Sequence, residues 1–439
     1  MSVRLDHSKL RRSMRPNNFY TTLGKIEQIV GMTVEASGMS CNIGDVCSIS
    51  VVGKERKKIL SEVVGFKNNK VLLMPYGEIN GIGYGSFVSN TGEKLKIKMS
   101  EALIGRTIDA LGNPIDGKGD IDSDVYYSIN GVPANPMTRP PIFEPLEFGV
   151  KAIDGMITIG KGQRMGIFAG SGVGKSTLMG MIARNIKADV NVVALIGERG
   201  RELMEFINKD LGPEGIKRSV LVVATSDQPA MLRSKCAQTA TAIAEYFKDQ
   251  GKDVLLMMDS LTRFCMAERE IGLSVGEPPI ARGYTPSIYA SLPKLLERCG
   301  NFEKGSITGI FTVLVEGDDS NEPISDTVRG IIDGHIMLSR KIAMKNHYPA
   351  IDVLASISRL MSSIASPEQK AAAGQIRKIM SLYQDNQDLI SIGAYKSGTN
   401  SELDTAIRKM DSVNRFLQQR VDENSSMEET IRSMMEIIK

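Results

Sequence analysis

The chain lacks tryptophan altogether, and its 439 residues include only three histidines and five cysteines. Cys41, Cys47, Cys236, Cys265 and Cys299 are odd in number, scattered, and form no CxxC pair, while His7, His335 and His347 do not supply zinc-site spacing. A disulfide scaffold and a zinc-finger module are excluded, and the pattern reads as reduced thiols in a cytosolic protein. No apolar run approaches the ~18–20 residues that span a bilayer. The opening stretch MSVRLDHSKLRRSMRPNN carries charge but no apolar segment, so it does not read as a secretory signal. A one-sided charge is also missing. Fifty-four basic against 51 acidic residues give +3, too balanced to imply nucleic-acid binding. Repeats and low-complexity tracts are absent.

What remains is an ordinary globular composition, 42% apolar and 24% charged, with many Gly (42) and Met (24). The length allows roughly two to four domains. Three zones follow from patterning. After a basic segment (1–20), residues 21–95 alternate short β-rich runs with Gly-containing turns, which predicts a small closed β-barrel. From 96 to 366, apolar runs (Met165–Ala169, Val190–Ile196, Val220–Ala224, Val254–Met258, Ile307–Val315) alternate with helical stretches such as Met231–Lys248. That alternation predicts an α/β domain with a parallel sheet. Residues 367–439 read as a helical C-terminal domain containing EQKAAAGQIRKIMSLYQ, SELDTAIRKMDSVNRFLQQRV and SMEETIRSMMEIIK.

The strongest local signal is MGIFAGSGVGKST, Met165–Thr177, where an apolar strand enters a Gly-rich loop and opens a helix. Gly170, Ser171, Gly172, Val173 and Gly174 form a loop whose N–H groups suit a polyphosphate, and the helix end adds its positive dipole. Lys175 is placed to reach the β/γ-phosphates, and the Ser176 hydroxyl, with Thr177 beside it, to meet Mg²⁺. One departure stands at the first position of the loop pattern, which is Ala169 rather than Gly. In DVLLMMDS a strand ends in Asp259, a candidate Mg²⁺-organising carboxylate, although many strands end in an Asp that merely caps a helix. In LIGERGRE a strand delivers Glu198 and Arg199 to its carboxyl end, where Glu198 suits a base polarising water. A solvated salt-bridge cluster gives the same pattern there.

Together GSGVGKST, GERGRE, LLMMDSLTRF, PPIARGYTPSIYASLPKLLERCG and VEGDDSNEPISDTVRGIIDGHIMLSR resemble the ATPase of type III protein export systems. That family is similar to the catalytic β subunit of F-type rotary ATPases. The loop AGSGVGKST looks like its flagellar branch, with the virulence-type injectisome paralogue close by. The resemblance implies a RecA-like P-loop ATPase domain, ATP with Mg²⁺ as ligands, Glu198 as catalytic glutamate with Arg199 beside it, and Arg263 supporting the site. It implies that Tyr348 stacks on adenine and that Arg359 reaches across to a neighbouring subunit of a homohexamer. It further implies regulatory and stalk proteins, export substrates and chaperones, and peripheral contact with a membrane export gate on the cytoplasmic side. In the family the basic 1–16 segment resembles a docking site for a regulator. A rotary synthase subunit and a hexameric RNA helicase share the core. The helicase ranks last, because the barrel aromatics Phe66, Tyr76, Tyr84 and Phe87 are spread out, without a basic stripe.

Overall fold

A computed structural model describes residues 22–51, 58–315 and 322–439. The expectation of a partner-binding or membrane-binding segment at residues 1–20 lies outside the described residues. The chain divides into two compact units, Met1–Leu95 with Ser274–Gly276, and Lys96–Leu273 with Glu277–Lys439.

The first unit is a six-stranded closed barrel, as the alternating runs predict. Strands β1 (Leu23–Val30), β2 (Thr33–Ser37), β3 (Asp45–Ser50), β4 (Lys58–Lys67), β5 (Lys70–Pro75) and β6 (Phe87–Lys94) close in the order β1-β2-β5-β4-β3-β6. The β4–β5 turn shows why local sequence sets register. Asn68 and Asn69 both hold positive φ (49° and 62°) between the paired Lys67 and Lys70. Asparagine tolerates that left-handed geometry, which matches the twist of a two-residue hairpin. Ile26, Val34, Ile49, Val63, Leu73 and Val88 fill the barrel.

In the second unit β7 (Lys96–Lys98) and β9 (Tyr126–Ser128) form a small ladder. The main sheet comprises β8 (Thr107–Asp109), β10 (Arg164–Ala169), β11 (Val190–Glu198), β12 (Ser219–Thr225), β13 (Asp253–Asp259), β14 (Gly300–Asn301), β15 (Ser306–Leu314), β16 (Gly334–Leu338) and β17 (Ile351–Ser358). Its order is β17-β16-β10-β15-β13-β11-β12-β8, with β14 pairing β15. Strands β10, β11, β13 and β15 are apolar along most of their length because helices cover both faces, the usual pattern of buried parallel strands. The sheet is not wholly parallel, however: β17 runs antiparallel to β16 at one edge, and β14 antiparallel to β15.

The C-terminal helices Pro367–Asp385, Ser401–Leu417 and Met427–Ile438 each begin at a side-chain cap, from Ser366, Asn400 and Ser426 respectively. Ser426 and Glu429 complete a reciprocal capping box. The sequence reading carries the middle helix on to Val421, whereas it ends at Leu417. Gln419 is drawn out of the helix because its amide accepts from Lys151 N and donates to the Gly149 and Glu423 carbonyls. Phe416, Val413 and Met434 share one apolar core with Ile153, Leu178 and Ile182. Among the described residues no helix is long and apolar enough to cross a membrane.

Candidate nucleotide site

Four neighbouring parallel strands, β10, β15, β13 and β11, end on the same side of the sheet, the edge where ligands collect in open α/β folds. Beyond β10 the chain turns through Gly172 (φ 77°) and Gly174 (φ 87°), both in the left-handed region that favours glycine, into the helix Lys175–Asn185. No side chain caps that helix, so its first N–H groups face the loop. Ala169 belongs to the strand: it pairs with Leu314 and Leu338 and its carbonyl accepts from Val315 N. A methyl group there is ordinary strand packing, which accounts for the departure at the first loop position.

Lys175 Nζ lies 2.5 Å from Asp259 Oδ1 and 3.7 Å from Glu198 Oε1. Burial opposes the ammonium charge, but Asp259 and Glu198 outweigh it and hold the Lys175 pKa above its ordinary value. Glu198 closes β11 after a register shift at Gly197 (φ 68°), a bulge that re-aims its carboxylate. Burial, reinforced by the Asp259 charge, pushes the Glu198 pKa up to about 7, with Lys175 pulling the other way. Asp259 is nearly buried, and its Oδ1 also accepts from Thr312 Oγ1 of β15 at 2.7 Å. Arg263, in the first turn of the helix that follows Asp259, packs on Gly197, and among the described residues its buried Nε has no partner.

Ser176 is half-buried at the second residue of the loop helix. The Thr177 hydroxyl hydrogen-bonds Asp210, whose carboxyl burial pushes upward. Asp210 lies in a π-helical turn, Phe206–Leu211, that touches the loop helix where a Cβ on Gly180 would stand 2.5 Å from the Asp210 carbonyl oxygen. The Tyr348 ring lies beside the loop, 3.5 Å from where a Cβ on Gly174 would be.

The fold therefore gathers the loop Gly170–Thr177, Glu198, Asp259, Arg263 and Tyr348. It does not bring Arg199 into this cluster. That side chain is exposed and pairs with Glu202 at 3.3 Å. Nor does it bring Arg359. Its N–H bonds Asp333 O, and Asp333 N–H bonds Arg164 O, at the amino end of β10. Six strand positions at ~3.3 Å each put Arg359 roughly 20 Å from its own loop. Thr312 and Asp210 escaped sequence reasoning. Thr312 is a hydroxyl inside an apolar strand, the one signal available, and Asp210 had none.

A hydroxyl and a carboxylate are hard oxygen ligands suited to Mg²⁺, and among the described residues no group of three or more His, Cys, Asp or Glu forms a protein cage. Ser176 and Asp259 thus fit an ion that shares its ligands with nucleotide phosphates.

Three family models match in chain order: the ATP synthase alpha/beta family β-barrel domain over residues 26–92, the nucleotide-binding domain of that family over 149–358, and the T3SS EscN ATPase C-terminal domain over 365–436. The flagellum-specific ATP synthase of Bacillus subtilis (strain 168) is 55% identical, covering 94% of this chain and 95% of that protein. The assembled ATPase EscN of the enteropathogenic E. coli type III secretion system superposes with a TM-score of 0.90 at 45% identity, over 95% of this chain and all of that one. The same ATPase in complex with its central stalk EscO gives 0.88, also at 45% identity and with the same coverage.

Proposed function

The chain belongs to the ATP synthase alpha/beta family, among the flagellum-specific and type III secretion ATPases, and from that membership we propose that it is the ATP-hydrolysing motor of a flagellar type III export apparatus. It binds ATP and hydrolyses it to ADP and phosphate. The observation that carries this reading is the Lys175 ammonium held between Asp259 and Glu198 at the end of a phosphate loop.

The loop N–H groups and Lys175 hold the β- and γ-phosphates, and Tyr348 packs against the adenine. Mg²⁺, when bound through Ser176 and Asp259, neutralises charge on the phosphate oxygens. Glu198, ionised, accepts a proton from the attacking water. Arg263 packs on Gly197 next to Glu198, and its charge acts on Lys175, which places it in a supporting position. Arg199 follows Glu198 in sequence, but its exposed side chain pairs with Glu202 outside this cluster and is assigned no step. The separation of Arg359 from its own loop supports a homohexamer in which each interface joins one subunit's loop to the next subunit's Arg359. There it would stabilise γ-phosphate charge as an arginine finger. We take residues 21–95, 96–366 and 367–439 as barrel, ATPase and helical domains. The helical domain faces a stalk protein and the export gate, where substrates and chaperones engage on the cytoplasmic side.

Phosphate release by the full chain, with and without Mg²⁺, tests the activity. Glu198→Gln is expected to bind nucleotide and release almost no phosphate, and normal turnover in that variant would move the base elsewhere. The injectisome reading is favoured by the close superposition on EscN. Restoring motility to a strain deleted for its flagellar export ATPase supports the flagellar assignment, and restoring only effector secretion supports the other.

A further inference from the structure

Arg359 does not stand alone at the amino end of the sheet. Its Nη2 donates to the main-chain carbonyl of Arg329 at 3.2 Å. Arg329 lies near the end of the helix Pro323–Ile331, and its own guanidinium sits 4.9 Å from the centroid of the Phe168 ring. Among the described residues the Arg329 Nε is buried without a hydrogen-bond partner. Phe168 is fully buried, and its ring folds back over Gly166, where a Cβ would stand 2.5 Å from the ring. The glycine makes the notch that receives the ring. His335 closes the far side, edge-on to Phe168 at 5.9 Å, with its Nε2 3.1 Å from the Ala355 carbonyl. Burial lowers the His335 pKa, and both arginines push in the same direction, so their charges meet there.

A carbonyl can hold a flexible side chain in place only if it is itself fixed. The Arg329 side chain supplies that fixation by lying on the buried Phe168 face, a cation–π contact. Phe168 is the second-last residue of β10, the strand that enters this subunit's own phosphate loop. One cluster therefore touches both the strand leading into one site and the arginine offered to the next.

We propose that Arg329, seated on Phe168, is a positioning residue for the trans-acting Arg359. The inference rests on the proposed role of Arg359 and deepens it. Arg329 touches no phosphate; it acts on the neighbour's site through Arg359.

Turnover, ATP-analogue binding and mixed-ring rescue test this in the full-length protein. Arg329→Ala is expected to lower kcat by about 10²-fold, the scale of a 1 Å misplacement in a catalytic constellation, while analogue binding stays within twofold. Arg329→Lys keeps a cation over the ring and is expected to recover most of the loss. Mixing Arg329→Ala with Glu198→Gln subunits before assembly, with mixed rings confirmed by native mass, should restore activity, because some interfaces then join an intact Glu198 to an intact Arg329–Arg359 pair. A defect confined to the subunit's own site would show no such rescue. The control mixes Arg359→Ala with Glu198→Gln. If only the control recovers, or if Arg329→Ala turns over normally, the assignment of Arg329 fails and the trans role of Arg359 stands. If neither mixture recovers, the trans reading fails and takes this inference with it. Arg329→Gln, which keeps most of the side-chain length, carries the same mixing test should Arg329→Ala not assemble.

Discussion

Lys175 Nζ stands 2.5 Å from Asp259 Oδ1, on the side of the sheet where Glu198 also ends its strand. One ammonium thus serves two carboxylates that occupy different strands and have different surroundings. Asp259 is further anchored by Thr312, whereas Glu198 is raised by burial. Paired acids whose environments differ in this way are suited to separate tasks, as the proposed roles in metal ligation and proton acceptance require.

The raised pKa of Glu198 gives a pH dependence of definite sign. A base acts only when ionised, and the free enzyme's ionisation governs kcat/KM. We expect kcat/KM to rise as pH passes through about 7, the value to which burial pushes Glu198, and to level off above it. A profile flat from pH 5.5 to 8.5, with chemistry rate-limiting, would exclude Glu198 as the base.

Thr312→Val removes a hydroxyl donor from Asp259 while nearly preserving shape. A hydrogen bond to a charged group is worth ~1.5–3 kcal/mol, so turnover should fall by about tenfold or more without loss of assembly. Steady-state phosphate release across a Mg²⁺ titration reads this. Unchanged turnover at every Mg²⁺ concentration would show that Lys175 alone orients Asp259.

The phosphate loop and the two acidic strand ends were legible in the sequence because each is local: glycines followed by Lys175, or an apolar run ending in a carboxylate. Thr312 was not, since what sets it beside Asp259 is the pairing of β13 with β15, between residues 53 positions apart. The barrel was readable from its alternation and its turns. The antiparallel β17 was hidden, because strand direction depends on the connection through residues 339–350 and not on the composition of Ile351–Ser358. The remoteness of Arg359 from its own loop follows from that reversal, which family resemblance alone did not reveal.

Tyr348 lies against the backbone of Gly174 rather than in the core, and it is 42% exposed. If the ring packs against the adenine as proposed, it contributes to nucleotide affinity and not to chemistry. Tyr348→Ala should raise KM for ATP about 3- to 10-fold, matching ~0.5–1.5 kcal/mol of ring contact, with kcat nearly unchanged. Tyr348→Phe should behave like the parent. A fall in kcat at constant KM would place the ring nearer the phosphates.

Asp154 supports the scaffold behind the loop. It is fully buried, its two carboxyl oxygens accept from Phe148 N and Gly149 N at 2.8 Å each, and its main-chain carbonyl accepts from Gln369 of the C-terminal helices. Burial pushes its pKa up to about 7, against the two backbone donors that favour the ionised form. A carboxyl whose folded pKa lies above its unfolded value binds the proton more tightly when folded. Its contribution is therefore complete below the unfolded value near 3.8 and declines as pH rises through about 7. Asp154→Asn abolishes this titration but offers an NH₂ to one of the two N–H donors, leaving that donor buried and unpaired. The variant should lose ~1–3 kcal/mol at pH 8, and more at pH 5, where the parent still holds its favourable proton. Urea unfolding of both proteins at the two pH values measures it. Equal stability of parent and variant at both would mean that the Asp154 carboxylate is not what holds the Phe148–Gly149 turn.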